Sequence, residues 1–488
     1  MQTKLFIGGE FVDAADGATM DVVDPHDGSV LAAVAEAKEE DVDRAVRAAR
    51  RAAPWWRRMP AADRGRLLLK LADAIEADLN GLALLETRDT GHPVRDTRGL
   101  DVPRTAATFR YFGGMADKHQ GTVVPVEAGF LDYVVPEPLG VVGQIVPWNF
   151  PVMFTSWKMA PALAAGNTVV LKPAEITPLS ALRIAELIAE VGFPEGVVNI
   201  VPGYGPTAGQ RIVDHPDIAK VSFTGSTAVG RAVAESAAKN LKQVHLELGG
   251  KGANIVFEDA DLAKAVGGTA FGIFHNQGQA CIAASRLILH EAIAEPFLQR
   301  LVTLAESIRI GDPKEPATEM GPLTSPSHRD RVAAYLELAV AEGGEVLTGG
   351  GPPDDPALAD GCYVQPTIVR TAAGSRVARE EVFGPFMTVH TFRTDDEARQ
   401  IANSVEYGLG GGLWTRDLTR AHQVARELRA GMVWINSYKR VNPGSPFGGT
   451  GASGYGREMG FEAMREYTEP KATWVNVDAA IPPFYPRD

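Results

Sequence analysis

The feature that most constrains this chain is a series of short apolar runs between residues 140 and 250, each followed by a segment with helical spacing. V-V-G-Q-I-V at 141–146, T-V-V-L at 168–171, V-V-N-I-V at 197–201 and K-V-S-F at 220–223 lack the in-out alternation of a half-solvated strand. Strands covered on both faces read this way. The segments 178–191 and 227–241 have helical periodicity and lengths that suit right-handed crossovers. The pattern predicts a doubly wound parallel sheet over 140–250. With 488 residues the chain exceeds one ordinary core, and a second αβ alternation follows. Its strand candidates are 286–290, 363–369, 386–392, 410–414 and 432–436, with helices near 294–307, 326–342, 395–404 and 417–429. Cys362, in G-C-Y-V-Q-P-T-I-V, reads as a strand residue.

Upstream, residues 4–13 read as a hairpin about Gly8-Gly9, and 39–80 as two helical segments broken near Pro60, with a further helix ending near Lys118. Residues 121–136 alternate as two β-rich runs about a turn, a ribbon expected to protrude. A last β-like run, 473–477, precedes a Pro-rich end expected to lie extended on a surface. A net charge of -13 argues against a nucleic-acid backbone or an anionic membrane as partner. No apolar run approaches a membrane span and Met1–Lys4 lacks the run of a secretory signal, so the expected compartment is the cytoplasm. The two cysteines form no CxxC pair or ligand cluster, and no metal is expected.

One of those cysteines, Cys281, lies in F-H-N-Q-G-Q-A-C-I-A-A-S-R, where amides and glycine approach the thiol. A core cysteine sits in an apolar periodic run; this one reads as a nucleophile candidate. Such chemistry also needs a base and donors for an oxyanion. Asn149, held between prolines in P-W-N-F-P at a strand end, is a candidate donor, with a satisfied buried Asn as the bland alternative. Glu247, in H-L-E-L-G-G-K, is flanked by leucines, and desolvation would raise its pKa toward that of a working base. G-S-T-A-V-G at 225–230 opens a helix after a buried strand, where backbone amides can meet a diphosphate, although such turns are frequent in α/β sheets. Lys172-Pro173-Ala174-Glu175 leaves an earlier strand with an acid able to bind both hydroxyls of a ribose. Glu381, in E-E-V-F-G-P-F, could bind another hydroxyl or simply end a helix.

Together P-W-N-F-P, K-P-A-E, F-T-G-S-T, E-L-G-G-K, G-Q-A-C, E-E-V-F-G-P and S-P-F-G-G, in this order over nearly the whole chain, resemble the aldehyde dehydrogenase superfamily of the NAD(P)-dependent, hydrolytic type. The resemblance implies a Rossmann-like cofactor domain (1–119 with 139–249), a second α/β catalytic domain (250–449) carrying Cys281, and a small β oligomerisation arm with a terminal extension (120–138 and 467–488). It implies Cys281 as nucleophile, Glu247 as general base, Asn149 with the Cys281 amide as oxyanion donors, and Lys158 as a proton relay to Glu247. NAD, or else NADP, would meet Ile145, Trp148, Lys172, Glu175, Gly205 and Gly209. Phe223, Gly225, Ser226, Leu248, Glu381 and Phe383 would complete that site.

The substrate aldehyde would meet Arg104, Phe150, Phe154, Trp157, His275, Ala280, Ile282 and Phe447. If two of Arg104, Lys439 and Arg440 converge on the entrance, an aldehyde with a distant carboxylate is expected; each cation singly reads as solvated or paired. The oligomer implied is a homodimer or a dimer of dimers, with small molecules as the other partners. The competing readings are an acylating relative that passes the thioester to coenzyme A, and a non-catalytic scaffold on the same fold. Glu247 argues for hydrolysis, and Cys281, Glu247 and Asn149 together argue for catalysis.

Overall fold

A computed structural model of the chain describes residues 1–481. The strands predicted over 140–250 form the centre of an eight-stranded sheet in the order Glu10–Val12, Leu5–Ile7, Val198–Ile200, Thr168–Lys172, Val141–Ile145, Lys220–Thr224, Gln243–Glu247, Gly454–Tyr455. The five central strands are parallel, and the flanking pairs at both edges are antiparallel. Val141–Ile145, Thr168–Lys172 and Lys220–Thr224 are buried at every position, which is why their sequences are apolar without alternation. The chain enters at Val141–Ile145, winds outward through the next two strands, then crosses back to Lys220–Thr224 on the other side. The carboxyl ends of Val141–Ile145 and Lys220–Thr224 therefore flank a switch point, where the outgoing chain diverges and leaves a crevice.

A second sheet of seven strands has the order Glu345–Thr348, Thr367–Arg370, Phe386–Phe392, Arg286–His290, Ala253–Val256, Gly410–Trp414, Met432–Ile435, parallel except at its first pair. One of its inner strands, Ala253–Val256, carries too short an apolar stretch to stand out in the sequence. The Thr19–Val23 and Val30–Ala35 hairpin, in a mixed polar stretch, was equally silent there. Cys362 is not a strand residue. The strand begins at Thr367, because Pro366 offers no N–H to a ladder and the preceding backbone is engaged elsewhere. The Cys362 N–H donates to Pro25 O at 3.0 Å, and its carbonyl accepts from the Leu323 N–H at 2.8 Å.

A third sheet pairs Thr468–Asn476 with Phe130–Pro138 over nine residues, with Thr122–Val124 on its other edge. It leaves Val123, Leu131, Val135, Trp474 and Val475 exposed. The Pro-rich end over 482–488 lies outside the described residues. No helix among the described residues is long and apolar enough to cross a membrane.

The second sheet is tied to its covering helix by Arg286. Its buried guanidinium donates to Lys251 O at 3.0 Å and to Ile401 O and Ala402 O at 2.7 Å, the last two being carbonyls at the carboxyl end of Asp395–Ala402. Arg286→Met leaves three carbonyls without this donor and should cost about 3 kcal/mol, seen as a fall of several degrees in apparent Tm by differential scanning fluorimetry. An unchanged Tm would show that water replaces the guanidinium freely.

Candidate active site

The loop bearing Cys281 follows helix Leu262–Phe274 through three successive left-handed residues, Asn276 (φ 53°), Gln277 (φ 52°) and Gly278 (φ 70°). At Gly278 a Cβ would come within 1.9 Å of Gly384 O, so only glycine fits. The amides near the thiol fasten the loop. Asn276 Nδ2 donates to Asn149 O at 2.8 Å, Gln277 Nε2 to Gly91 O at 3.1 Å, and Gln279 Oε1 accepts from the Thr324 N–H at 3.0 Å. Asn149 closes the clasp by donating from Nδ2 to Gln279 O at 2.9 Å. An amide group carries two hydrogens, so one remains for a ligand in the cavity that Asn149 and Cys281 both line.

Cys281 sits between two cavities. The first opens at the switch point and is lined by Trp148, Asn149, Gly225, Ser226, Leu248 and Glu381, with Phe383 across from Trp148. The rings of Trp148 and Phe383 are 5.3 Å apart and edge to face, and Phe383 is held at φ 62°. A Cβ at Gly225 would lie 2.5 Å from the Phe223 ring, so the turn packs directly on that ring. Ser226 caps helix Thr227–Ala238 by accepting from the Val229 N–H at 3.3 Å. The buried Thr224 hydroxyl beside it has no hydrogen-bond partner among the described residues. Glu381 Oε1 accepts from the Gly250 N–H at 2.7 Å, and burial pushes its carboxyl up to about 7. Ile145 and Phe223 belong to the core behind this cleft and do not line it.

Lys172, Glu175, Gly205 and Gly209 gather at the neighbouring strand ends, outside that cavity. Lys172 Nζ donates to Gly203 O at 2.6 Å, Pro173 O at 2.9 Å and Glu175 Oε2 at 3.3 Å, which uses its three hydrogens. Gly205–Gly209 forms the turn beside it, where a Cβ on Gly209 would touch the Lys172 stem at 3.5 Å. The cation braces the turn, and the carboxylate keeps a free oxygen.

The second cavity is lined by Phe150, Phe154, Trp157 and Phe447 and by Ala280 and Ile282, the neighbours of Cys281. Arg104, His275 and Lys439 also line it. Arg104 makes no side-chain hydrogen bond or ion pair among the described residues, and burial lowers its pKa. Lys439, at φ 55°, donates to His275 O at 3.3 Å, and burial pulls its ammonium down to about 7. Arg440 is exposed and lines neither cavity. His275 stacks on Phe150 and stays neutral, burial and the neighbouring His92, Lys439 and Arg104 all disfavouring its charge.

Glu247 ends strand Gln243–Glu247 with both carboxylate oxygens buried and without a hydrogen-bond partner among the described residues. Burial, then the nearby Glu458, push its pKa well above the usual carboxylate range. Burial, then Glu247 and Glu381, push the Cys281 thiol up as well. Lys158 does not touch Glu247. Its fully buried ammonium is bound to Glu458 Oε1 and, at 3.0 Å, to Ser222 Oγ. The residue between these groups and Glu247 is His245, with Nδ1 3.1 Å from Ser222 Oγ and Nε2 3.4 Å from Glu247 Oε1.

Sequence reasoning missed His245, Ser222 and Glu458, and also His328 and Arg331, which line the first cavity from helix Pro326–Ala341. His245 had a signal, since residues two apart on a strand share a face with Glu247. His328 and Arg331 stand one helical turn apart, and nothing local marks that face as ligand-facing.

Residues 11–473 match the family model described as "Aldehyde dehydrogenase family". The human protein "Aldehyde dehydrogenase, mitochondrial" is 45% identical over 480 residues, 97% of this chain and 92% of that protein. Among solved structures, PnpE from Pseudomonas sp. WBC-3, also solved in complex with nicotinamide adenine dinucleotide, superposes with a TM-score of 0.99 at 65% identity over the full length of both chains. Staphylococcus aureus betaine aldehyde dehydrogenase, solved with NAD+, gives a TM-score of 0.98 at 38% identity, covering 100% of this chain and 97% of that one.

Proposed function

The chain belongs to the aldehyde dehydrogenase family, and on that premise we propose that Cys281, Asn149 and Glu247 carry the NAD-dependent oxidation of an aldehyde to a carboxylic acid. The observation that carries the assignment is the position of Cys281 between a cleft at the switch point and an apolar cavity on its other side. The cleft fits a dinucleotide. It offers a glycine turn at a helix amino end, the unpartnered Thr224 hydroxyl, and two carboxylates, Glu381 inside the cleft and Glu175 at the adjoining strand end, that can accept from ribose hydroxyls. Glu175, braced by Lys172, favours NAD, because a carboxylate repels a 2′-phosphate.

Cys281 attacks the carbonyl as thiolate, and the resulting oxyanion takes the second Asn149 Nδ2–H together with the Cys281 backbone N–H. The cofactor, when bound, supplies the acceptor for the hydride that leaves the thiohemiacetal carbon. The thioester left on Cys281 is then hydrolysed by water whose proton Glu247 accepts, releasing the acid and restoring the thiol. A dry site raises the pKa of Glu247, which suits a base that must pull a proton from water near neutral pH. Each oxyanion donor is worth about 3 kcal/mol of barrier in such sites. The domain division over 1–119 with 139–249, 250–449 and the 120–138 arm follows the same reading. The exposed apolar residues of the third sheet support self-association through that arm as a dimer or a dimer of dimers.

The substrate we propose is an aldehyde with a carboxylate at its far end. Arg104 and Lys439 converge on the cavity and neither forms an ion pair among the described residues, Asp101 acting on Arg104 only through its field, while Phe154, Trp157 and Phe447 line an apolar wall. A carboxylate bound there in a partly dry tunnel gains about 1.5–3 kcal/mol, a tenfold to hundredfold preference.

Two measurements check these assignments. Glu247→Gln should give a burst of about one reduced cofactor per active site and a steady rate roughly 100-fold or more below the parent, because only water activation has lost its base. An undiminished steady rate would remove Glu247 from the mechanism. Semialdehydes should be preferred over uncharged aldehydes of equal length by kcat/KM in the parent, and Arg104→Met should remove most of that preference. A parent without preference, or a variant that keeps it, would make Arg104 a surface charge.

A further inference from the structure

Both carboxylate oxygens of the proposed base, Glu247, and the Nε2 of the adjacent His245 are buried without a hydrogen-bond partner among the described residues. His245 and Glu247 lie two residues apart on strand Gln243–Glu247, so their side chains share one face. In the parallel pairing with Lys220–Thr224, Ser222 stands beside His245. Lys158 Nζ, which can only donate, binds Ser222 Oγ at 3.0 Å, so that oxygen's own hydrogen is available to His245 Nδ1 at 3.1 Å. The Tyr467 hydroxyl also meets Ser222, and it can donate to the same oxygen without changing this direction. A hydrogen bond accepted at Nδ1 leaves the hydrogen of the neutral imidazole on Nε2, 3.4 Å from Glu247 Oε1.

We propose that His245 is a positioning residue for Glu247: a neutral imidazole, oriented through Ser222 by Lys158, whose Nε2–H holds one carboxylate oxygen of the base and leaves the other to face water. This rests on the reading of Glu247 as the base. The imidazole is kept neutral by burial and by the cations facing it, Lys158, Lys220 and Arg457, while Glu458 Oε1 stands 3.8 Å from Nδ1. Glu247 itself faces Glu458, Glu466, Lys158, Arg457 and, across the site, Cys281. The ring has little freedom to turn away. It packs on Gly456 (φ 88°), where a Cβ would come within 2.2 Å of His245 Cδ2. Glu247 is similarly bounded by Gly448, where a Cβ would stand 2.6 Å from Oε1.

The consequence is a pH profile. Burial raises the pKa of Glu247, and a donated hydrogen bond opposes that rise by stabilising the carboxylate. Removing the donor should move the acid limb of the steady-state rate to higher pH. His245→Asn keeps an amide beside Ser222 but withdraws the donor from Glu247, and His245→Gln reaches as far as Nε2 did. Both should retain the burst of reduced cofactor, which reports a folded site and intact attack by Cys281. The acid limb of kcat should rise by about one pH unit or more in His245→Asn and lie close to the parent in His245→Gln. An acid limb in His245→Asn that coincides with the parent, or equal shifts in the two variants, would overturn the proposal. Glu247→Gln separates the two readings. If it stalls after its burst while the limb of His245→Asn is unmoved, His245 alone is misassigned; if it sustains the parent rate, the base has been misread and His245 falls with it.

Discussion

The structure depends on a reciprocal clasp between Asn149 and the loop that carries Cys281. Asn149 follows the first sheet's strand Val141–Ile145, while the loop leads into the second sheet's strand Arg286–His290. Asn276 donates to the Asn149 carbonyl, and Asn149 donates to the carbonyl of Gln279. These two bonds set the spacing between a strand end of one sheet and the reacting sulfur before the other. Because the loop is wound through three left-handed residues, it has few other shapes in which both bonds survive. The cleft on one side of Cys281 and the apolar cavity on the other are consequences of where that clasp holds the thiol.

The electrostatics follow from the dryness the clasp creates. Without water, negative charge is disfavoured at Cys281, Glu247 and Glu381 alike, and positive charge at Lys439. A buried base can keep its charge only if fixed dipoles replace the missing water. The Gly250 N–H does this for Glu381. For Glu247 the side chain that approaches on its own strand face is His245, itself tied by Ser222 to the buried Lys158 and Glu458 pair. Ser222 and His245 thus stand between the ion pair and the base, and the pair acts on the base through these oriented groups as well as by its field.

Much of this was legible in the sequence, for identifiable reasons. Runs buried on both faces announce a parallel sheet, and the turns at their carboxyl ends supplied Asn149, Gly225 and Glu247 as candidates. Cys281 stood out by its polar neighbours, although the structure uses those amides to fasten the loop. Lys172, read from the sequence as part of a ribose clamp with Glu175, donates to Pro173 O, Gly203 O and Glu175 in the structure and so braces the turn beside that acid. What the chain could not reveal were relations that need the register of the sheets. Ser222 meets His245 only because two strands twenty-odd residues apart pair in parallel. Glu458 meets Lys158 across 300 residues. Cys362 was misread because the neighbours that claim its backbone, Pro25 and Leu323, are remote in sequence.

The central claim is that the substrate carbon passes through the sulfur of Cys281 and leaves with the help of Glu247. Mass spectrometry of acid-quenched Glu247→Gln protein, after mixing with NAD and an aldehyde, tests it most directly. The account predicts one added acyl group per chain, located on the peptide containing Cys281 and formed as fast as the cofactor is reduced. Cofactor reduction with no acyl group on Cys281, or with the group on Cys362, would contradict it.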